Sequence, residues 1–346
     1  MTAAAREAFG AEFLGAQGFL NTPTYGLPPQ FLIDALQGCI GKWQRGTMDV
    51  PWFDEHVRAG RQGYADLAGV PVESLAMGAT VSGALGLVAA AIPDGSRVLT
   101  LPGEFTSTSF PFAAQAARGV SITELPADEL VSAAADFDVV TVSMVQSANG
   151  AVLDAEALRK TVDGTDTLTV IDITQALGWK RIDLRWADVT VAAVYKWLLS
   201  PRGTAWMSLS DRMRRLMTPH AANWYAAAEP WQTIYGLPLR LAGDARQFDI
   251  SPTWFSALGA GLALPWLASL DSAAVEAHAV GLAHRLRAEL ELPQRDSAIV
   301  SLPIADVADR LTRAGIRASV RAGAIRVGFH LYNTEADLHR LLEVLS

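Results

Sequence analysis

Through the middle of the chain, short apolar runs alternate with stretches whose apolar residues recur at helical spacing. Residues 97–100, 120–123, 139–143, 168–171 and 189–192 are valine-, leucine- and isoleucine-rich runs of four or five residues, the length and composition of buried strands. Between them, residues 110–118 and 155–161 have the spacing of amphipathic helices, and Pro93-Asp94-Gly95 and Asp163-Gly164 supply turns. This alternation predicts an α/β sheet covered by helices, forming a large domain over residues 20–255. Residues 1–19 are expected to form an N-terminal helical segment. From Ser256 onward the pattern changes to a long Ala/Leu-rich helical stretch and then a strand-helix tail, which predicts a small C-terminal α+β domain over 256–346. Thr334-Glu335-Ala336-Asp337 offers an N-cap and an acidic first turn for the last helix.

Composition narrows the class of protein without naming a chemistry. The chain has 346 residues, half of them apolar, enough to bury a large core. Its net charge of -8 and lack of a basic run argue against nucleic acid as a partner, because nothing displaces counterions from phosphates. The single cysteine, Cys39, excludes an intramolecular disulfide and fits a reducing compartment. No apolar leader begins the chain, and the weakly polar stretch 77–92 is too short to span a bilayer, so a soluble, cytoplasmic protein is expected. Six scattered histidines lack metal-ligand spacing, and no structural metal is expected.

Candidate chemistry begins at Lys196. It directly follows an apolar strand in a chain whose only other lysines are Lys42, Lys160 and Lys180. Upstream, Asp172 ends another apolar strand, where an unpartnered carboxylate would be costly. A lysine amine and a carboxylate at the ends of two apolar strands, 24 residues apart in sequence, suit pyridoxal 5'-phosphate (PLP): the amine forms a Schiff base and the carboxylate keeps the pyridine nitrogen protonated. A helix N-cap is the alternative reading of Asp172. Gly78-Ala79-Thr80-Val81-Ser82-Gly83, ahead of an apolar helix at 84–91, offers small residues, hydroxyls and a positive helix end for a phosphate.

The residues Asp172-Ile173-Thr174-Gln175, Tyr195-Lys196-Trp197, Pro201-Arg202-Gly203 and Arg326 with Tyr332-Asn333-Thr334 resemble the class V aminotransferase family of fold type I PLP enzymes. That family includes cysteine desulfurases, kynureninase and isopenicillin N epimerase-like proteins. The resemblance runs from about Leu20 to the C-terminus. It implies a large mixed-sheet cofactor domain, a small C-terminal domain and a homodimer with the site at the subunit interface. It assigns Lys196 to the Schiff base, Asp172 to the pyridine nitrogen and Gln175 to the phenolic oxygen. Ala79 and Thr80, with Ser82 as a further candidate, and Tyr195 fall to the phosphate. Phe105 would stack on the ring, a core phenylalanine being the alternative, and Ser147 stands where relatives present an asparagine. Arg326 would bind the substrate α-carboxylate, with Arg317 and Arg321 as decoys. Ser251 would reach the neighbouring subunit's phosphate. The aromatic segment from Asn223 to Tyr235 is open to two readings, pocket lining or core.

The cofactor alone does not choose the reaction. No cysteine lies between Ser301 and Ile325, and Cys39 is remote in sequence, which argues against a persulfide-forming desulfurase. Lys196, freed by substrate, would be the base that moves a proton from the α-carbon. Transamination is therefore the leading expectation. A PLP-dependent C-S lyase working by β-elimination, or an epimerase, is the alternative, and a non-catalytic PLP-fold binding protein the remote one.

Overall fold

A computed structural model describes residues 5–304 and 307–346. The predicted apolar runs become the centre of a seven-stranded sheet. Its members are β3 (Leu75–Gly78), β4 (Arg97–Thr100), β5 (Ser121–Glu124), β6 (Val139–Ser143), β7 (Leu168–Asp172), β8 (Val189–Ala193) and β9 (Ala205–Leu209). The spatial order is β3-β9-β8-β7-β6-β4-β5, and β9 alone runs against its neighbours. Every residue of β6, β7, β8 and β9 is buried, as expected for strands covered on both faces, which is why their sequences are mostly apolar, with single Thr, Ser or Asp exceptions, instead of alternating.

One consequence governs the site. Because β3, β4, β6, β7 and β8 point the same way, the loops after Gly78, Thr100, Ser143, Asp172 and Ala193 all emerge at one sheet edge. Ligands in open α/β sheets sit at such an edge, beyond the carboxyl ends of the strands.

The first nineteen residues do not form the expected helical segment. Their described part is a hairpin, β1 (Ala5–Ala8) and β2 (Ala11–Leu14), closed by Phe9 and Gly10. Both turn residues have positive φ, 49° and 75°, the two-residue turn geometry that matches strand twist; the glycine adopts it without a Cβ penalty. Turn geometry and strand pairing prevailed there.

A strap at residues 20–27 follows, crossing from the small domain to the large sheet. Leu20 donates its N–H to Arg317 and accepts from Gly328, while Gly26 donates to the Tyr195 carbonyl beside the candidate lysine. A Cβ at Gly26 would collide with the Lys196 carbonyl and the Leu199 side chain, so the strap lies flat on the lysine loop only because this residue is glycine. Leu199 itself has a φ of 55°, an uncommon conformation for leucine, at the turn that carries Lys196.

The helices α1 (Gln30–Gln44), α2 (Phe53–Ala68), α3 (Val81–Ala91), α4 (Thr106–Ala113), α5 (Ala127–Ala133), α6 (Ala155–Val162) and α7 (Asp211–Leu216) complete the large layer. The boundary expected at 255/256 falls inside α8 (Trp254–Ser269), whose buried Ala257, Ala260, Ala263 and Leu264 share the main core with Val57, Tyr64 and Ala68 of α2. A separate core lies beyond it, formed by α9 (Ser272–Glu289), β10 (Ile299–Leu302), α10 (Ala308–Arg313), β11 (Ser319–Arg321), β12 (Ala324–Gly328) and α11 (Glu335–Leu345). Its three strands pair antiparallel in the order β10-β12-β11. Thr334 and Asp337 form a reciprocal capping box on α11, as the sequence suggested. Among the described residues no single helix is long and apolar enough to cross a membrane.

Candidate functional site

At the carboxyl edge of the sheet lies a cavity of about 80 Å³, lined in part by Ala79, Thr80, Ser82, Phe105, Ser143, Ser147, Asp172, Gln175, Tyr195, Lys196 and Arg202. Of the residues expected at the site, only Ser251 and Arg326 are not in its wall.

Lys196 projects from the turn after β8 and is buried, with its Nζ 5.2 Å from the centre of the Phe105 ring and 5.7 Å from that of Tyr195. Burial lowers its pKa to about 8; Asp172 opposes that shift, and Arg326, Arg321 and Arg202 reinforce it. Asp172, at the end of β7, accepts from Thr174 N at 2.8 Å and Thr108 Oγ1 at 3.2 Å. Both donors are neutral, and burial pushes the carboxyl's pKa up. The N-cap reading of Asp172 therefore describes one contact, while the group's burial leaves room for a cationic partner.

Gln175, Ser147 and Arg326 form one chain. The Gln175 amide donates to Ser147 Oγ at 3.1 Å and to the Pro23 carbonyl at 2.9 Å, and its oxygen accepts from the Trp197 indole at 2.8 Å. Arg326 on β12 donates to Ser147 O at 2.6 Å, to Ser147 Oγ at 3.0 Å and to Thr24 Oγ1 at 2.9 Å. Its guanidinium is almost fully buried, and that burial lowers its pKa to about 10. Ser147 is thus a strut between two neighbours, and both amide hydrogens of Gln175 are engaged by protein oxygens.

Thr80 caps α3, accepting from Gly83 N at 3.1 Å, and the open first turn of that helix faces the cavity. Phe105 is 44% exposed and sits at the start of α4, so the core reading of this ring does not hold. Asn149-Gly150 is a turn, with Asn149 Oδ1 accepting from Ala151 N. In the aromatic segment, Tyr225 and Trp231 both donate to Asp54 of α2 and stand outside the cavity wall. Ser251 is exposed and also outside it, following Asp249, which is anchored by Arg61 and by Met77 N.

One residue at this edge escaped sequence reasoning. Glu104 is buried and accepts from Phe105 N, Ser143 N, Ser143 Oγ and Gln146 Nε2 at 2.6–2.8 Å, tying the loops after β4 and β6 together. Burial raises its pKa while these donors pull the other way. Only its place beside Phe105 could have signalled it.

The family model for aminotransferase class-V matches residues 77–341. The chain belongs to this family. Class V members are fold type I PLP enzymes, so PLP is the cofactor of this chain. Among similar solved structures is the apo cysteine desulfurase from Thermococcus onnurineus NA1, 20% identical, with 95% of this chain and 94% of that one covered and a TM-score of 0.80. The cysteine desulfurase CsdA from Escherichia coli is 16% identical over 95% and 94%, with a TM-score of 0.79. The cystine C-S lyase C-DES, solved with its product cysteine persulfide, is 17% identical over 95% and 97%, with a TM-score of 0.84. At such identities the likeness is one of fold. No curated protein matches the chain significantly in sequence.

The class V cofactor fits the residues present. The buried Asp172 carboxylate has only neutral hydrogen-bond donors, and a protonated ring nitrogen supplies the cation it lacks. The α3 amino end, with Thr80 and Ser82, offers donors to a phosphate.

The buried lysine gives a prediction for the cofactor-free protein. Its folded pKa of about 8 lies below the usual 10.5, so between these values the unfolded chain binds more protons and stability rises with pH. The penalty is full below pH 8 and relieved above 10.5. The stability advantage of Lys196→Met over the wild type should therefore shrink by about 3 kcal/mol across that window. Urea denaturation of both cofactor-free proteins from pH 7.5 to 10.5 checks this; a constant gap would contradict it.

Proposed function

We propose that the chain is an aminotransferase acting at the α-carbon of an amino acid. The observation that carries this reading is the cavity wall: among the described residues lining it there is no histidine and no cysteine, and Lys196 is the one base that can release its proton near neutrality. The cysteine of a persulfide-forming enzyme has no counterpart here, since Cys39 is buried in α1 against Phe53 and Leu258.

When bound, PLP withdraws electrons from a bond to the substrate α-carbon. In this reading Lys196 holds the cofactor through its amine and, once released, carries the proton away from the α-carbon. Asp172 faces the ring nitrogen, and Phe105 covers the ring. Ala79, Thr80, Ser82 and Tyr195 receive the phosphate. Arg326 turns its fork to the substrate carboxylate, whose planar pair of oxygens it matches better than the neutral Ser147 and Thr24 oxygens it now engages. Gln175 holds Ser147 in place behind that guanidinium.

The test is the visible spectrum of the PLP-loaded protein titrated with L- and D-amino acids in the absence of a keto-acid acceptor. Conversion of the lysine-bound cofactor to its amino form, with one equivalent of keto acid, supports transamination and names the donor. Persistence of the starting band while pyruvate and ammonia, or the opposite enantiomer, accumulate would replace it with a C-S lyase or an epimerase.

We also infer a cytoplasmic homodimer in which Ser251 of each copy reaches the other's phosphate. The exposure of Ser251 and its anchoring beside β3 support that reading. Ser251→Ala should weaken PLP retention about fivefold, the value of one charge-assisted hydrogen bond at a wet interface. Equilibrium dialysis of PLP against both proteins checks this, and equal retention would remove Ser251 from the site.

A further inference from the structure

Cations outnumber anions around this cavity. Lys196 and Arg202 line it, Arg326 backs it, and Asp172 is the only carboxylate in its described wall. Glu104 lies behind the wall, but its oxygens are already taken by four donors. The chain as a whole carries a net charge of -8, so the surplus of positive charge is local.

The cofactor and an ordinary amino acid do not use all of these cations. Lys196 is consumed in holding PLP. Arg202, stacked 5.3 Å over the Tyr195 ring, shares its wall with the open turn of α3, where the phosphate's charge falls. Arg326 takes the α-carboxylate. Arg321 is left over.

Strand geometry places Arg321 beside Arg326. Ser319 of β11 stands directly opposite Arg326 of β12, and Arg326 Nε donates to Ser319 Oγ at 3.3 Å, so the two side chains share a face. Arg321 is two residues beyond Ser319 and therefore on that same face, opposite Ala324, whose small side chain leaves the guanidinium uncovered. The hairpin closes immediately, through Ala322 and Gly323 at φ 48° and 77°, which fixes Arg321 at the end of the strand. Its hydrogen bond among the described residues is to its own neighbour's carbonyl, Val320 O, and it has no carboxylate partner among them. The charge of Arg321 is felt at both Lys196 and Arg326, consistent with this placement.

We propose that the substrate is an amino acid whose side chain ends in an acid, with Arg326 holding its α-carboxylate and Arg321 the distal one. This deepens the aminotransferase reading and rests on it for the assignment of Arg326. Two guanidinium groups on one face of a short hairpin accept the two ends of a dicarboxylate together, and the distal one rejects apolar side chains by being left unpaired.

The experiment separates this inference from the reading beneath it. PLP loading is first confirmed by visible absorbance; failure to load would fall on the assignment of Lys196 and Asp172. The loaded wild type is then titrated with succinate and with butyrate by isothermal calorimetry, which needs no turnover. Succinate should bind at least about tenfold more tightly than butyrate, the usual scale for one added charge-assisted contact. In Arg321→Gln that preference should fall to within about twofold, and in Arg321→Glu it should reverse. Equal affinities in the wild type, or a preference that survives both substitutions, would overturn the proposal.

Discussion

Lys196→Ala is expected to lose at least about a thousandfold in turnover, the largest effect of any single substitution in this chain. The lysine has two tasks that no neighbour can assume. Among the described residues its amine is the only one in the cavity wall, so covalent attachment of PLP disappears with it. It is also the only base there whose pKa, about 8, lets it both take and return a proton at neutral pH. Tyr195 stands next to it and Asp172 faces it, but the carboxylate is already bound by Thr108 and Thr174 and cannot move to the α-carbon. Borohydride reduction of the loaded proteins followed by peptide mass analysis is the direct measurement. The wild type should carry the reduced cofactor on the peptide containing Lys196, and the alanine variant on none. Turnover that survives in the variant, with unmodified peptide, would place the chemistry elsewhere.

The two halves of this site differed in how far the sequence revealed them. Asp172 and Lys196 were legible because the first ends and the second closely follows a mostly apolar strand, where a charged side chain is anomalous and demands a partner. The strands β6, β7 and β8 were legible for a related reason: burial on both faces leaves a mostly apolar run, and β4 shows the same in its buried Val98 and Leu99. β9 was not, although its run is as apolar as that of β8, because it follows closely on the lysine turn with no helix between, while β3 is four residues ending in glycine. Without those two strands the α/β alternation was readable, but the mixed character of the sheet came only from resemblance. The contacts of Gln175 with the strap, and of Arg326 with Ser147 and Thr24, span separations of 152, 179 and 302 residues. No local pattern encodes them; the strap's crossing from one domain to the other creates the first and the last, and the packing of β12 against the loop after β6 creates the second. Glu104 was missed because a carboxylate in a loop looks solvated until the loops around it are assembled.

Asp172→Asn is the second large effect, and its value lies in separating binding from chemistry. Asparagine is the same size; its oxygen can still accept from Thr174 N, and the amide nitrogen that replaces the second oxygen can donate to Thr108 Oγ1, whose hydroxyl can turn to accept, so the fold and the cavity should survive. What it cannot supply is negative charge. In the wild type the buried carboxylate has an unfavourable environment of its own, with burial raising its pKa, and a protonated ring nitrogen resolves that cost. Removing one member of such a buried pair costs about 3 to 5 kcal/mol, which as a barrier corresponds to roughly 150- to 5000-fold in rate. The phosphate and ring contacts are untouched, so PLP should still bind, with its affinity reduced far less than turnover. Dialysis of PLP and single-turnover rates with the identified donor measure the two quantities separately. If both fell by the same factor, Asp172 would be acting as a binding residue only; a variant that kept its rate would show that the ring nitrogen draws its proton from another group.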